Sequence, residues 1–296
     1  MMRAIGGQWL ALRKRPMLGV LAGVYLGLLA LQFFAPVALI NLLPRLDALG
    51  GSGAINPDAA AALKQTVQLP SAFATIFSHV NGMGGLMLMV LSGAFVGADA
   101  GWGAQRALLA RQPGRMRYLA SKLGALALLA LVLVLASLPL GVALAWLASG
   151  SLGLESSIPA EAWPLVGRGA LIAWLGLLPY VLLAAMWAVI GRSAAAGITG
   201  SLGYWILEIG LGVVSIFQAL GGAGESIYNL TLAQSVGAWT ELTRKAFNVD
   251  LGRAFGQLGF SFPALPQAAA MAVFYSGLFL GAAWLAAERR DVRGPQ

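Results

Sequence analysis

Apolar runs of membrane-crossing length alternate with short polar stretches along the whole chain. The runs cover about residues 17–40, 72–98, 123–149, 164–190, 197–220 and 266–287. Each is about 20–27 residues long, which suits a helix crossing a hydrocarbon core about 30 Å thick. None shows the residue-by-residue alternation of an outer-membrane barrel strand. The pattern predicts an all-α membrane protein with six transmembrane helices in one transmembrane domain, 1–296. Pro139 falls inside the third run and predicts a kink, which a helix bundle tolerates.

The polar stretches set the topology. Residues 1–15, MMRAIGGQWLALRKR, combine Trp9, Leu10 and Leu12 with Arg3, Arg13, Lys14 and Arg15. This predicts an N-terminal interfacial helix on the inner leaflet. The first span then opens at Pro16. The run is too long for a signal-peptide core and has no clear cleavage site, so it reads as a retained span. Residues 41–71 are rich in turn formers and predict an external loop. Residues 150–163 carry Glu155 and Glu161 without a basic residue and read as external. Gly191-Arg192-Ser193 reads as a tight inner turn. Residues 221–265 form a long external segment. Within it, Ile227, Leu230, Val236, Trp239 and Leu242 give partial helical periodicity, which predicts one or two amphipathic helices outside the membrane.

Charge agrees with this layout. The segments assigned to the inside hold Arg3, Arg13, Lys14, Arg15, Arg106, Arg111, Arg115, Arg117, Lys122, Arg192, Arg289, Arg290 and Arg293, most of the 19 basic residues. Lys and Arg collect on cytoplasmic loops, so both termini are expected in the cytoplasm. The net charge of +8 is therefore explained by topology, and no nucleic-acid partner is expected. Composition narrows the class further. The chain is 59% hydrophobic and 10% charged, with mean hydropathy +0.79, whereas soluble domains have about 25% charged residues. With no cysteine, thiol catalysis, disulfides and cysteine metal sites are excluded.

The densest basic stretch is GADAGWGAQRALLARQPGRMRYLASK, residues 97–122. It predicts a short surface helix, a break at Pro113-Gly114, then a helix entering the third span with Met116, Leu119 and Leu123 at helical spacing. Gly97-Ala98-Asp99 closes the second span. Gly103, Leu108-Leu109, Pro113, Arg115 and Lys122 follow. This order resembles the hallmark segment of ABC-2-type transporter permeases. Asp99 stands where that family usually has Glu, and Ala104 where it usually has Thr.

The resemblance implies a transmembrane subunit of an ATP-driven exporter in a bacterial inner membrane. The chain lacks a G-x-x-x-x-G-K-[ST] phosphate loop, the motif that cradles nucleotide phosphates. ATP and Mg would be bound by a separate ABC ATPase, in two copies, and no cofactor by this chain. A second copy of the chain and membrane lipids complete the implied partners. The coupling surface would be the cytoplasmic helix after the second span. Asp99, Trp102, Arg106, Leu108, Leu109, Arg111 and Arg115 would meet the ATPase, with Trp102 and the leucines as apolar anchors. No covalent chemistry is expected, and no catalytic or metal-binding residue. The resemblance also implies short re-entrant helices in the long segment before the sixth span, against an ordinary external cap. The alternative for the whole chain is a membrane scaffold or sensor subunit without transport activity.

Within the spans, polar residues carry the remaining signals. Glu208 is the one carboxylate deep in a span, where a charge costs a few kcal/mol and marks a partner or a polar cavity. Two readings stay open: a residue of the substrate path or dimer interface, or a carboxyl hydrogen-bonded to a neighbouring helix. His79 and Asn81 lie in the second span, either on the substrate path or as structural hydrogen-bonding groups. A lone histidine cannot build a metal site. Gln32 and Gln218 are expected to pack. Gly19, Gly23 and Gly27 form G-x-x-x-G-x-x-x-G on the first span. Small residues at that spacing let helices approach closely, so a packing face is expected there.

Overall fold

A computed structural model describes residues 2–48, 57–101, 115–213, 226–249 and 262–288. The described residues are almost entirely helical, and no strand occurs among them. Five helical stretches are long and apolar enough to cross a membrane: Pro16–Leu42, Ala72–Ala98, Met116–Ser151, Ala162–Gly191 and Leu265–Glu288. They match five of the expected spans closely. The expected fifth span is described only in part, as a helix over Ala194–Val213, and the rest of it lies outside the described residues.

Helix α1 (Met2–Arg13) turns Ile5, Trp9 and Leu12 to one side, at spacings of four and three residues. Leu12 is fully buried, and Ile5 lies against Gly124 of a later helix. Arg3, Leu10, Arg13 and Lys14 stay exposed. Helix α2 (Pro16–Ala48) starts on proline, whose fixed φ and missing N–H fit a first helical position. It continues beyond the span end expected near residue 40. Helix α3 (Pro57–Val67) follows, so the stretch expected as a plain external loop is substantially helical. Its buried Ala62, Leu63 and Val67 supply the contacts that hold it.

The second span is interrupted. Helix α4 (Ala72–His79) passes through a π-helical turn, Val80–Gly84, into α5 (Gly85–Gly101). Such a turn shifts the hydrogen-bond register by one residue and re-aims the side chains after it. Helix α6 (Arg115–Ser151) contains Pro139, and α7 (Ala162–Gly191) contains Pro179. Trp174 Nε1 donates to the Ala127 carbonyl at 3.0 Å and ties these two together. Helix α7 ends at Arg192, in the left-handed region at φ 51°. Ser193 Oγ then accepts from Ala196 N at 3.0 Å and starts α8 (Ala194–Val213). The sequence read this as a tight turn, and it is one. Helices α9 (Leu232–Ala246) and α10 (Leu265–Glu288) complete the described elements.

The core sits where α4, α5, α6 and α7 meet. Phe73, Ile76, Phe77, Leu88, Phe95, Leu126 and Leu177 are fully buried there. Lipid is as apolar as these side chains, so close packing holds such helices together. The tightest approach joins α5 to α8. A Cβ on Gly93 would lie 2.6 Å from the Gly197 carbonyl carbon, and one on Gly97 would strike the Ser193–Ala194 backbone.

Candidate functional site

Helix α9 is the element that gathers the polar groups. Periodicity alone read it as outside the membrane, and the family resemblance as short re-entrant helices before the last span; the structure packs it into the bundle. Leu232 and Val236 share a cluster with Met89, Tyr180, Leu183 and Phe279, residues from the middle of their own helices. At its other end Phe247 stacks on Phe73 and Phe77 with centroids 5.5 and 6.4 Å apart, and Ser71 Oγ donates to the Phe247 carbonyl at 3.2 Å. The helix therefore enters the bundle from the Ala72 end of the second span and places its N-terminus near mid-depth. Its apolar face reads Leu232, Val236, Thr243 and Phe247 at helical spacing. Polar residues elsewhere on it made the segment read as external.

A helix N-terminus inside a bundle exposes amide groups that nothing in its own helix can bond. Glu208 of α8 meets that need. Its Oε1 accepts from Leu232 N at 2.7 Å and its Oε2 from Ala233 N at 3.2 Å. Thr231 Oγ1 accepts from Gln234 N at 3.4 Å. Ser235 N already reaches the Thr231 carbonyl. Tyr204, one turn before Glu208, donates its hydroxyl to Oε1 at 2.9 Å, and Tyr275 of α10 donates to the Leu230 carbonyl at 3.2 Å. Glu208 is 2% exposed. Three donors converge on it, and the partial positive charge of the helix end faces its carboxylate.

Asn81 holds the same helix at a second point. Its Nδ2 donates to Thr240 Oγ1 at 3.0 Å, and its Oδ1 is buried without a partner among the described residues. Two turns separate Leu232 from Thr240, about 12 Å at 1.5 Å per residue. His79, two residues before Asn81, faces the opposite way. Its Nδ1 is 2.7 Å from Gln32 Oε1, and its Nε2 is 3.3 Å from the Tyr25 carbonyl. Ser137 Oγ donates to the Leu133 carbonyl, so the Tyr25 hydroxyl donates to Ser137 at 2.7 Å. This polar cluster joins α2, α4 and α6. The structure thus brings Glu208 and Asn81 to one helix and leaves His79 in a separate network.

The residues expected to meet an ATPase fall largely beyond view. Trp102, Arg106, Leu108, Leu109 and Arg111 lie outside the described residues. Asp99 stands in the last turn of α5 and Arg115 opens α6. The helices on either side of them meet at two cations. Lys122 is 2% exposed, donates Nζ to the Phe95 carbonyl at 2.7 Å, and lies 4.7 Å from the Phe95 ring centroid. Arg15 lies over the same ring, with Cζ 5.0 Å from its centroid, and reaches the Ala94 carbonyl at 3.4 Å. A buried cation–aromatic contact contributes up to about 2 kcal/mol. Sequence reasoning read Lys122 as one of the basic residues of the inner side and as the lysine of the hallmark order, and gave it no partner. The signal it passed over is Phe95 with Tyr118, two aromatic residues close to the two cations.

No group of three or more His, Asp or Glu side chains is placed to hold a metal ion among the described residues. No family model matches the sequence, and no curated protein matches it.

Proposed function

We propose that the chain is the permease subunit of an ATP-driven exporter of ABC-2 type, with six spans, an interfacial α1 and both termini in the cytoplasm. The observation that carries this reading is the order of residues at the close of the second span: Gly97, Asp99, Gly103, Leu108-Leu109, Pro113, Arg115 and Lys122. The fold supports it in three ways. Multi-pass helical character suits a permease. Phe95 near the end of α5 and Lys122 near the start of α6 are joined, with Arg15, in one cluster, a brace between the two helices that flank the expected coupling segment. Exposed Trp146 and Trp163 lie near the junction of α6 and α7, and exposed Trp284 near the far end of α10, as interfacial tryptophans do at the two membrane surfaces.

In this reading two copies of the chain form the substrate path and two ATPase copies supply the energy. Trp102, Leu108 and Leu109 anchor the contact, and Arg106 and Arg111 rim it. The test is co-purification with an ABC ATPase expressed from the same source, followed by stoichiometry and ATP hydrolysis, with Arg106→Glu and Arg111→Glu alongside. The expected result is a two-plus-two complex whose assembly or hydrolysis fails in the variants. A chain that is stable, takes no ATPase and ignores both substitutions is instead a scaffold or sensor subunit.

A further inference from the structure

A buried glutamate in a helix bundle needs a compensating charge, and a buried helix N-terminus needs acceptors. In this chain each is the other's answer. The titratable side chains around Glu208 are three tyrosines: Tyr204 on its own helix, Tyr180 from α7 and Tyr275 from α10. Helix α9 faces it with backbone amides alone, and α5 adds the apolar Met89 to the same cluster. No basic side chain bonds it among the described residues. The amide end of α9 is thus the main source of positive potential at the carboxylate.

We infer that Glu208 is the latch of a re-entrant helix, holding α9 seated in the bundle through the Leu232 and Ala233 amides and releasing it when the carboxylate is neutralised. The physical link runs both ways. A neutral carboxyl keeps one full acceptor oxygen and turns the other into a hydroxyl, a donor and a weaker acceptor, so it holds the two amides and Tyr204 less strongly than the carboxylate does. The weakened amide lies in a setting where no lipid group replaces its partner. Withdrawal of α9, in turn, leaves Glu208 without its charge partner. Two states with different protonation and different helix position follow from that reciprocity.

The second attachment decides how α9 would move. At its far end Phe247 is held by Phe73, Phe77 and Ser71, contacts that do not depend on charge. Between the ends, Asn81–Thr240 is the one side-chain hydrogen bond from the second span, and the opposing Asn81 oxygen is unpartnered. The N-terminal half of α9 is therefore fastened by charge as well as by the packing of Leu232 and Val236, and the C-terminal end by ring packing and the Ser71 bond, with no charge. Release at Glu208 frees the deep end, and the helix pivots on Phe247. The π-helical turn places Asn81 on this helix, so movement of α9 is felt directly by the second span. The inference concerns this chain alone and does not require an ATPase partner.

The test uses single cysteines, for which a chain without native cysteine is well suited. Ser235→Cys reports on the deep end of α9, because Ser235 is fully buried and cysteine is nearly its isostere. Ser157→Cys, on an exposed loop position, is the reference. The full-length protein in lipid nanodiscs is treated with a small water-soluble thiol reagent, and the two labelling rates are taken as a ratio. Glu208→Gln is expected to raise the ratio at least about tenfold, the loss of a charge-assisted hydrogen bond read as an open population. With Glu208 intact the ratio is expected to rise as the pH is lowered. In Glu208→Gln it should stay flat across the same range. The pH series on the unaltered glutamate keeps the inference exposed should the glutamine variant fail to fold. A ratio that ignores both pH and the substitution overturns it. So does a rise that persists with pH in Glu208→Gln, which would place the titrating group elsewhere.

Discussion

The first and second spans are alike on paper and opposite in the fold. Each candidate stretch is 27 residues long, and each carries a G-x-x-x-G pattern: Gly19-Gly23-Gly27 in α2, Gly93-Gly97 in α5. Yet 17% of the apolar window is buried in the first and 72% in the second. The glycines differ in the same sense. A Cβ on Gly19, Gly23 or Gly27 would meet nothing within 4 Å, whereas Gly93 and Gly97 lie against the backbone of α8. Helix α2 uses a different face, Tyr25, Leu29, Phe33 and Val37, all buried. That row is offset by two residues from the glycines, about 200° around the helix. Small residues permit close approach, but only a partner with a matching small residue, here Gly197, converts permission into contact.

The strongest way to break the comparison is to fill the α5–α8 crossing. Gly93→Val adds a branched side chain where backbone already lies 2.6 Å from a Cβ position. Overpacking of this kind costs about 3 kcal/mol or more. The expected outcome is loss of a monodisperse species on size exclusion, or a large drop in thermal midpoint.

Next in size is the cation buried at the end of the second span. Lys122→Met keeps the apolar stem and removes the charge-assisted bond to the Phe95 carbonyl, a loss of about 2 kcal/mol. Arg117→Met, exposed on the same helix, should shift stability by about 0.5 kcal/mol or less. Equal shifts in thermal unfolding would refute the special place given to Lys122.

The polar cluster between the first two spans should respond more modestly. His79→Ala and Gln32→Ala are each expected to cost about 1 kcal/mol. The double variant should cost less than their sum, because the two side chains share one hydrogen bond. Additive losses would show that the 2.7 Å contact contributes little.

Smallest of all is Gly23→Ala in α2. With open space around it, the substitution should leave the isolated chain unchanged or raise its stability by about 0.5 kcal/mol through helix propensity. A loss that appears only in an assembled form, read by crosslinking or native mass spectrometry, would reveal the α2 glycines as a contact between copies.

The helical class, the positions of most spans and the tight turn at Arg192 were legible in the sequence because they depend on local terms. Hydropathy over twenty residues, proline at a helix start and a glycine-rich reversal act within one segment. The interior of the α3 region and the seating of α9 were not legible. Both are only weakly apolar, and their burial depends on partners far along the chain: Phe247 on Phe73, Thr240 on Asn81, Leu232 on Glu208. Glu208 could be singled out from the sequence as a costly charge, but not matched with its partner. That partner is a backbone group, which has no letter of its own.

By itself, the sequence determined that the chain is a bundle of apolar helices, and which residues in it are costly to bury. Tertiary structure alone decided what those costly residues meet. A span's glycines, a lysine's aromatic neighbour and a carboxylate's amide partners are set by the angle and depth at which helices cross. Many crossings are compatible with the same apolar pattern. The one adopted is selected by close packing and by the need of every buried polar group for a partner.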